Sequence, residues 1–100
     1  MIALVFVYDV SDPDEFVRVY GPEGEWAGFF RAGRGYIGTE LLRDVEQRGR
    51  YLVVDRWESR ETYNDFVEAN RAEYMRRVDE TVFLYDQELR FGTFESVRPE

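Results

Sequence analysis

The first ten residues, MIALVFVYDV, limit the fold more than any other part of the sequence. They are rich in β-branched and aromatic side chains, and they are apolar at both odd and even positions. This pattern is typical of a strand that is covered on both faces. Such a strand needs a packed layer on each face, even in a domain of 100 residues. The opening segment is therefore predicted to be a strand with a cover on each face.

Two helical segments follow this strand. Asp12 and Pro13 form a helix start, because the Asp side chain can accept a backbone hydrogen bond and the missing donor of Pro costs nothing there. Gly21 and Pro22 interrupt the helix, and a second, aromatic-rich piece resumes until Gly33 ends it.

The rest of the chain adds two paired strands, a helical region and a last strand. Residues 36–45 and 50–57 are predicted strands that are joined by a polar hairpin. Ser59 then caps a long helical region with one apolar stripe, and residues 87–97 form the last strand. This order predicts a single α+β domain over residues 1–100 with the split βαβ, or ferredoxin-like, βαββαβ arrangement and a four-stranded antiparallel sheet.

The helices of this arrangement cover one face of the sheet and leave the other face open. The strands are nevertheless apolar at both parities. One parity is predicted to hold Val5, Val7, Leu41, Leu52, Val54, Leu89 and Phe91, and the other Leu4, Phe6, Leu42, Val53 and Phe94. A sheet with two apolar faces and helices on only one of them predicts a homodimer through the open sheet face.

The residue types that are missing exclude several kinds of chemistry. The chain has no Cys and no His, and all 13 of its basic residues are Arg. Thiolate nucleophiles, zinc–thiolate sites, histidine bases and a haem-binding histidine are therefore excluded, and so are a Lys Schiff base and a phosphate-loop Lys. We accordingly expect no metal and no other cofactor.

The charge and the hydropathy pattern limit the partners. A net charge of -8 opposes binding to nucleic acids and to anionic membranes. No apolar run approaches the roughly 20 residues that span a bilayer, and the first ten residues lack the features of a signal peptide. We expect a cytoplasmic protein with no nucleic-acid partner and no membrane partner.

The run Tyr51 to Phe66, YLVVDRWESRETYNDF, resembles the most characteristic stretch of the antibiotic biosynthesis monooxygenase family. That stretch is an apolar strand that ends in Trp-x-Ser, followed by a helix with aromatic residues at fixed places. The opening strand, the strand GYIGTELLRD and the last strand suit the same dimeric α+β barrel, so the resemblance extends over nearly the whole chain. Family members that oxidise polycyclic phenols use molecular oxygen without metal or flavin. The resemblance therefore implies a cofactor-independent monooxygenase that acts on an aromatic or polyketide-like small molecule.

The resemblance also implies site residues. The tryptophan at the strand end corresponds to Trp57, a tyrosine six residues later to Tyr63, and a helix arginine to Arg77, and these three are the catalytic candidates. An asparagine four residues before the tryptophan is replaced by Val53. The aromatic residues expected to line the substrate pocket are Trp26, Phe30, Tyr36 and Phe66. Each of these aromatic residues also suits plain packing in the core.

The spacing of Tyr63 and Arg77 sets a geometric condition for such a site. One straight helix would separate residues 14 positions apart by about 21 Å along its axis. If both side chains contact one small substrate, the helical region must break or bend near residues 70–72, where the apolar stripe thins.

Two functions stay open from the sequence. The first is the cofactor-independent oxygenase, and the second is a non-catalytic homodimer that binds a small molecule or is purely structural. The haem-degrading branch of the same fold is excluded, because its helix tryptophan corresponds to Phe66 and the chain has no His. A polar group directed into a deep pocket would favour the oxygenase, and a solid aromatic core would favour the second function.

Overall fold

The computed structural model describes residues 1–98, so the last two residues of the predicted domain lie outside the described residues. The strands are β1 (Ile2–Asp9), β2 (Tyr36–Arg43), β3 (Arg50–Trp57) and β4 (Gln87–Glu95). The helices are α1 (Pro13–Tyr20), α2 (Glu25–Phe30), α3 (Arg60–Ala69) and α4 (Arg71–Thr81), followed by a short 3₁₀ helix, Val82–Leu84. The strands form one antiparallel sheet in the order β2-β3-β1-β4. This confirms the predicted ferredoxin-like α+β fold.

The predicted starts of α1 and α3 differ in how well they are capped. Ser59 accepts a hydrogen bond from the backbone N–H of Thr62 at 3.1 Å, and the Thr62 hydroxyl accepts one from the Ser59 N–H at 3.3 Å. This reciprocal pair is a capping box that holds the start of α3. Asp12 is the N-cap of α1 as predicted, but its side chain makes no cap hydrogen bond there. β2 and β4 each end two residues before their predicted ends.

A single residue separates α3 from α4. The backbone of Asn70 has φ -122° and ψ 31°, which are not helical values. Its side-chain amide donates a hydrogen bond to the Phe66 carbonyl at 2.8 Å. The amide thereby satisfies a carbonyl near the end of α3, where helical partners run out. The predicted break at residues 70–72 is confirmed.

The strand register determines which side chains share a face, because directly opposite residues point to the same side of the sheet. A row on the open face crosses all four strands and consists of Leu42, Leu52, Val7 and Leu89. A matching row on the helix-covered face consists of Leu41, Val53, Phe6 and Arg90.

Three of the predicted side-chain directions are wrong. Leu41 lies on the helix-covered face and Leu42 on the open face, because the hairpin pairs Leu41 with Val53 and Leu42 with Leu52. Phe94 lies on the open face with Leu89, although the two differ in parity, because β4 shifts its register against β1 at Phe91. One extra residue in a strand moves every later side chain to the other face.

The core between the sheet and the helices has two parts. One is built around Phe16 of α1 and the other around Trp57 at the end of β3, while Phe6 and Trp26 contact both. None of the helices within residues 1–98 is long and apolar enough to cross a membrane. The two core parts leave space between them under α4, and this space is the candidate site.

Candidate functional site

A cavity of about 300 Å³ lies between the helix-covered face of the sheet and α4. Its aromatic wall consists of Phe6, Tyr8, Tyr20, Trp26, Phe30, Tyr63, Tyr74 and Tyr85. Its polar residues besides the tyrosines are Thr39, Asp55, Thr81 and Glu88. Small-molecule sites are concave and mostly apolar with a few placed polar groups, and their volumes begin at about 300 Å³. The cavity therefore suits a small aromatic molecule.

Sequence periodicity explains how the cavity is walled. Alternate residues of β1 and β3 point toward the helices, so Phe6 and Tyr8 share the cavity face of the sheet with Val53 and Asp55. On the opposite side, α4 contributes Tyr74, Met75 and Val78, which share one side of the helix.

Asp55 is the buried carboxyl of this cavity, with an exposure of 8%. The Thr39 hydroxyl donates to its Oδ1 at 2.6 Å, and the Tyr36 hydroxyl lies 2.5 Å from the Thr39 Oγ1. Because Thr39 has only one hydroxyl proton, Tyr36 is the donor in the second bond. Burial raises the pKa of Asp55 from 3.8 to about 6, and the hydrogen bond from Thr39 opposes that increase.

Three phenol groups of the cavity, those of Tyr8, Tyr20 and Tyr63, stay neutral near pH 7. Tyr8 donates to the Glu88 carboxylate at 2.5 Å, and Tyr20 donates to the Thr81 hydroxyl at 3.2 Å. Burial is the main cause that raises the pKa of Tyr8 and that of Tyr63, and it raises the pKa of Tyr20 to about 12. Tyr8 and Tyr20 each have one hydroxyl proton, which is already donated to Glu88 and to Thr81. Tyr63 can donate a hydrogen bond to a ligand, and none of the three can act as a base at neutral pH.

Trp57 lies behind the cavity rather than in its wall. Its side chain has 0% exposure, and its ring lies 5.3 Å from that of Tyr36 and 5.5 Å from that of Tyr63, between centroids. Its indole N–H has no hydrogen-bond partner among residues 1–98. Gly33 makes room for it, since a Cβ at that position would lie 2.7 Å from the indole ring. Gly33 does not have a positive φ, so a left-handed helix end does not explain the glycine at this position. The close approach of the Trp57 ring does.

The predicted pocket residues divide into two sets. Trp26 and Phe30 line the cavity, whereas Tyr36 and Phe66 pack around Trp57. Tyr63, one of the catalytic candidates, also lines the cavity. The indole N–H of Trp26 is buried and has no hydrogen-bond partner in the described part of the chain.

Arg77 lies at a different cavity of about 170 Å³, next to α1 and α2. Its Nε donates to the Glu73 carboxylate at 2.7 Å, and its guanidinium carbon lies 4.9 Å above the centre of the Phe29 ring. The break at Asn70 is present, but it does not bring Arg77 into the wall that holds Tyr63.

Sequence reasoning missed Asp55 and Thr39. A detectable signal was present, because Asp55 is the one acidic residue inside the apolar strand YLVVDRW and shares its parity with Val53 and Trp57. Val53 stands where the resemblance places an asparagine, and it lies in the cavity wall two positions before Asp55. Within residues 1–98 no group of His, Cys, Asp and Glu side chains could hold a metal ion.

Comparisons with known proteins agree with this architecture. The structure of a mutant of SnoaB, a cofactor-independent oxygenase from Streptomyces nogalater, matches 98% of this chain and 94% of its own, with 18% identity and a TM-score of 0.78. A candidate antibiotic biosynthesis monooxygenase from Deinococcus radiodurans matches 100% of this chain and 96% of its own, with 13% identity and a TM-score of 0.76. A similar candidate from Bordetella bronchiseptica matches 97% of each chain, with 21% identity and a TM-score of 0.69.

These structural likenesses show the fold. No curated protein sequence matches the chain. The family model for antibiotic biosynthesis monooxygenases matches residues 26–80, which include β2, β3, α3 and most of α2 and α4. The chain therefore belongs to the antibiotic biosynthesis monooxygenase family.

Proposed function

We propose that this protein is a cofactor-independent monooxygenase that oxidises a small hydroxylated aromatic compound in the cavity between the sheet and α4. The observation that carries the proposal is a cavity walled by eight aromatic side chains that also contains a buried carboxyl, Asp55. Membership of the family supports monooxygenase chemistry. The aromatic walls support a flat substrate, since offset and edge-to-face ring contacts favour such a ligand.

The reaction balances without an external reductant. A phenol and molecular oxygen give a quinone and water. One oxygen atom becomes the new carbonyl, and the other leaves as water with two hydrogens from the substrate, one from its hydroxyl and one from its ring carbon. Oxygen is the oxidant and the substrate supplies the electrons. The protein has to hold the ring, exclude water and stabilise the substrate anion.

Tyr63 is proposed to contact the substrate oxygen. It lies in the cavity wall, and burial keeps its phenol protonated so that it can donate a hydrogen bond to an anion. Trp57 holds Tyr63 in place from behind through an edge-to-face ring contact. The predicted role of Arg77 in stabilising the anion stays a prediction, and the Arg77→Ala variant tests it.

The non-catalytic alternative has one observation in its favour. Val53 makes the cavity wall apolar at the position where the resemblance places an asparagine. A cavity that binds aromatic molecules without turnover would need no polar group there.

A homodimer through the open sheet face belongs to the same proposal. That face exposes Leu42, Leu89, Phe91 and Phe94, and a groove of about 640 Å³ crosses it. Exposed apolar patches of this kind are typical of subunit interfaces, and a second copy can cover the patch with the same surface. A cytoplasmic location remains a prediction.

The direct test incubates chelator-treated protein with 1-naphthol or 9-anthrone under isotopically labelled oxygen. We expect quinone formation with one labelled atom in the product. Tyr63→Phe should lower the rate roughly tenfold or more, because a hydrogen bond to a charged group is lost. Tyr51→Phe is the matched control, since Tyr51 is buried outside the cavity. Tight binding of these compounds without oxygen uptake would favour the non-catalytic alternative.

A further inference from the structure

We propose that Asp55 is the base that takes the hydroxyl proton from the substrate. It would supply the polar contact that is missing because Val53 stands where the resemblance places an asparagine. This inference rests on the proposed function for its chemical setting. It assigns to the site a group that makes the cavity selective for molecules with an acidic hydroxyl.

The position of Asp55 fits a base. It lies on β3, an inner strand, where its neighbours in the register are Leu4 on β1 and Thr39 on β2. Hydrogen bonds to both adjacent strands fix the backbone, so the carboxyl is held more firmly than it would be on a loop.

The hydrogen bonding leaves one carboxyl oxygen available. Thr39 donates to Oδ1, and Tyr36 in turn donates to Thr39. Among residues 1–98 this is the one hydrogen bond that the Asp55 side chain makes. Since the carboxyl lines the cavity, Oδ2 can accept a hydrogen bond from a ligand hydroxyl.

The charged and titratable groups around Asp55 leave its charge unpaired. The phenols of Tyr36 on β2 and Tyr63 on α3 are close enough to Asp55 to interact with its charge. The cavity wall also holds the Glu88 carboxylate of β4, which accepts the hydroxyl proton of Tyr8. Two arginines lie on the same sheet face: the Arg90 guanidinium donates to the Thr93 hydroxyl at 3.0 Å, and the Arg43 guanidinium lies over the Tyr51 ring. No salt bridge joins Asp55 to an arginine in the described part of the chain. A buried carboxylate without a cation has a high proton affinity, which is consistent with the pKa of about 6.

The proposed step moves one proton and one charge. The substrate O–H bond breaks, its electron pair stays on the substrate oxygen, and a new O–H bond forms on Asp55. The negative charge moves from the carboxylate to the aromatic ring, which then reacts with molecular oxygen. Asp55 returns the proton to the oxygen atom that leaves as water. The carboxylate is thereby restored, and no further reactant is required.

The first test measures binding without turnover. The probe is 4-nitrophenol, whose anion is coloured, and its affinity is measured without oxygen between about pH 5 and about pH 9 for the wild type, Asp55→Asn and Asp79→Asn. Asp79 is an exposed residue of α4 and serves as the control. Above the pKa of the probe, the wild type should lose affinity by about tenfold per pH unit, because its carboxylate repels the phenolate.

The Asp55→Asn variant should behave differently from the other two proteins. Its amide is neutral and can donate to the phenolate, so its affinity should stay level or rise with pH. Asp79→Asn should follow the wild type. Parallel curves for all three proteins would overturn the inference, and so would a wild type that does not bind the probe at any pH.

The second test uses 1-naphthol turnover to separate this inference from the proposed function. Asp55→Asn should lower kcat/KM by roughly 100-fold or more and should abolish its increase with pH across the carboxyl pKa. Thr39→Val keeps the base and should shift that increase to higher pH, because the opposing hydrogen bond is lost.

If Asp55→Asn oxidises naphthol with an unchanged pH profile, the inference is wrong while the oxygenase stands. If the wild type consumes no oxygen but the binding curves diverge, the oxygenase is wrong while Asp55 remains the acceptor for the ligand hydroxyl.

Discussion

The two faces of the sheet bury their apolar residues by different means. On the helix-covered face, Trp57 and Phe16 are fully enclosed by aromatic neighbours, and a carboxyl is enclosed with them. On the open face, Val5 and Val54 of the inner strands are buried without any helix above them, whereas Leu89 on the outer strand β4 is 59% exposed. Neighbouring strands can shield the middle of a sheet, but its edges need another layer. The helices supply that layer on one face, and we propose that a second subunit supplies it on the other.

The largest expected effect is that of Trp57→Ala on the helix-covered face. Removing a fully buried tryptophan leaves a cavity and should reduce the free energy of unfolding by about 3–5 kcal/mol, measured by urea denaturation. Phe83→Ala is the control, because Phe83 is 77% exposed and should cost under about 1 kcal/mol. Equal losses in the two variants would mean that the aromatic cluster around Trp57 is not the main source of stability.

The next effect is a change in how stability depends on pH. The pKa of Asp55 is raised on folding, so the folded state holds the proton more tightly, and stability is lost as the pH rises from about 4 through about 6. Relative to Asp55→Asn, the wild type should lose about 3 kcal/mol over that range, from a shift of roughly two pKa units. Urea denaturation of both proteins at several pH values measures the difference. A constant difference would show that the carboxyl titrates normally.

A smaller effect is expected from Leu89→Glu on the open face. If this face forms the dimer, the variant should weaken association by roughly 30-fold, since burial of a leucine contributes about 1.5–3 kcal/mol. Sedimentation velocity across a range of protein concentrations measures the change. Val82→Glu is the control, because Val82 is also exposed but lies in the 3₁₀ helix after α4. A wild type that sediments as a monomer at micromolar concentration would contradict the proposed dimer.

The smallest effect is expected for Arg77→Ala. The guanidinium is partly exposed, pairs with Glu73 and stacks on Phe29, so its loss should cost on the order of 0.5–1 kcal/mol of stability. Because Arg77 does not line the central cavity, the affinity for 4-nitrophenol should not change. A large loss of naphthol turnover with normal stability would instead support the catalytic role that the sequence implies for Arg77.

The sequence predicted the features that depend on local chemistry. The cap at Ser59, the break at Asn70 and the bounds of β3 all follow from residue types within one turn or one strand. The features that it did not predict depend on strand pairing. The directions of Leu41 and Phe94 are set by which partner each residue faces, and a bulge elsewhere in the strand can reverse them.

The same limit applies to the candidate site. Periodicity identified Trp26, Phe30 and Tyr63 as apolar positions, and these residues line the cavity. It could not identify Asp55, whose importance comes from Thr39 across the neighbouring strand and from the helices above it. An isolated acidic residue in an apolar strand is a clear signal only once its face is known.

The break at Asn70 has a consequence for how this protein can change over evolution. It makes α4 a separate helix, and none of its residues is buried, whereas α3 is anchored by Phe66. The side chains of Tyr74, Met75 and Val78 close the cavity from this lightly anchored helix. Substitutions there can alter the size and shape of the ligand that fits without disturbing the packing around Trp57. Under the proposed function, ligand choice and fold stability therefore depend on different segments, so substitutions in α4 can change the first while keeping the second.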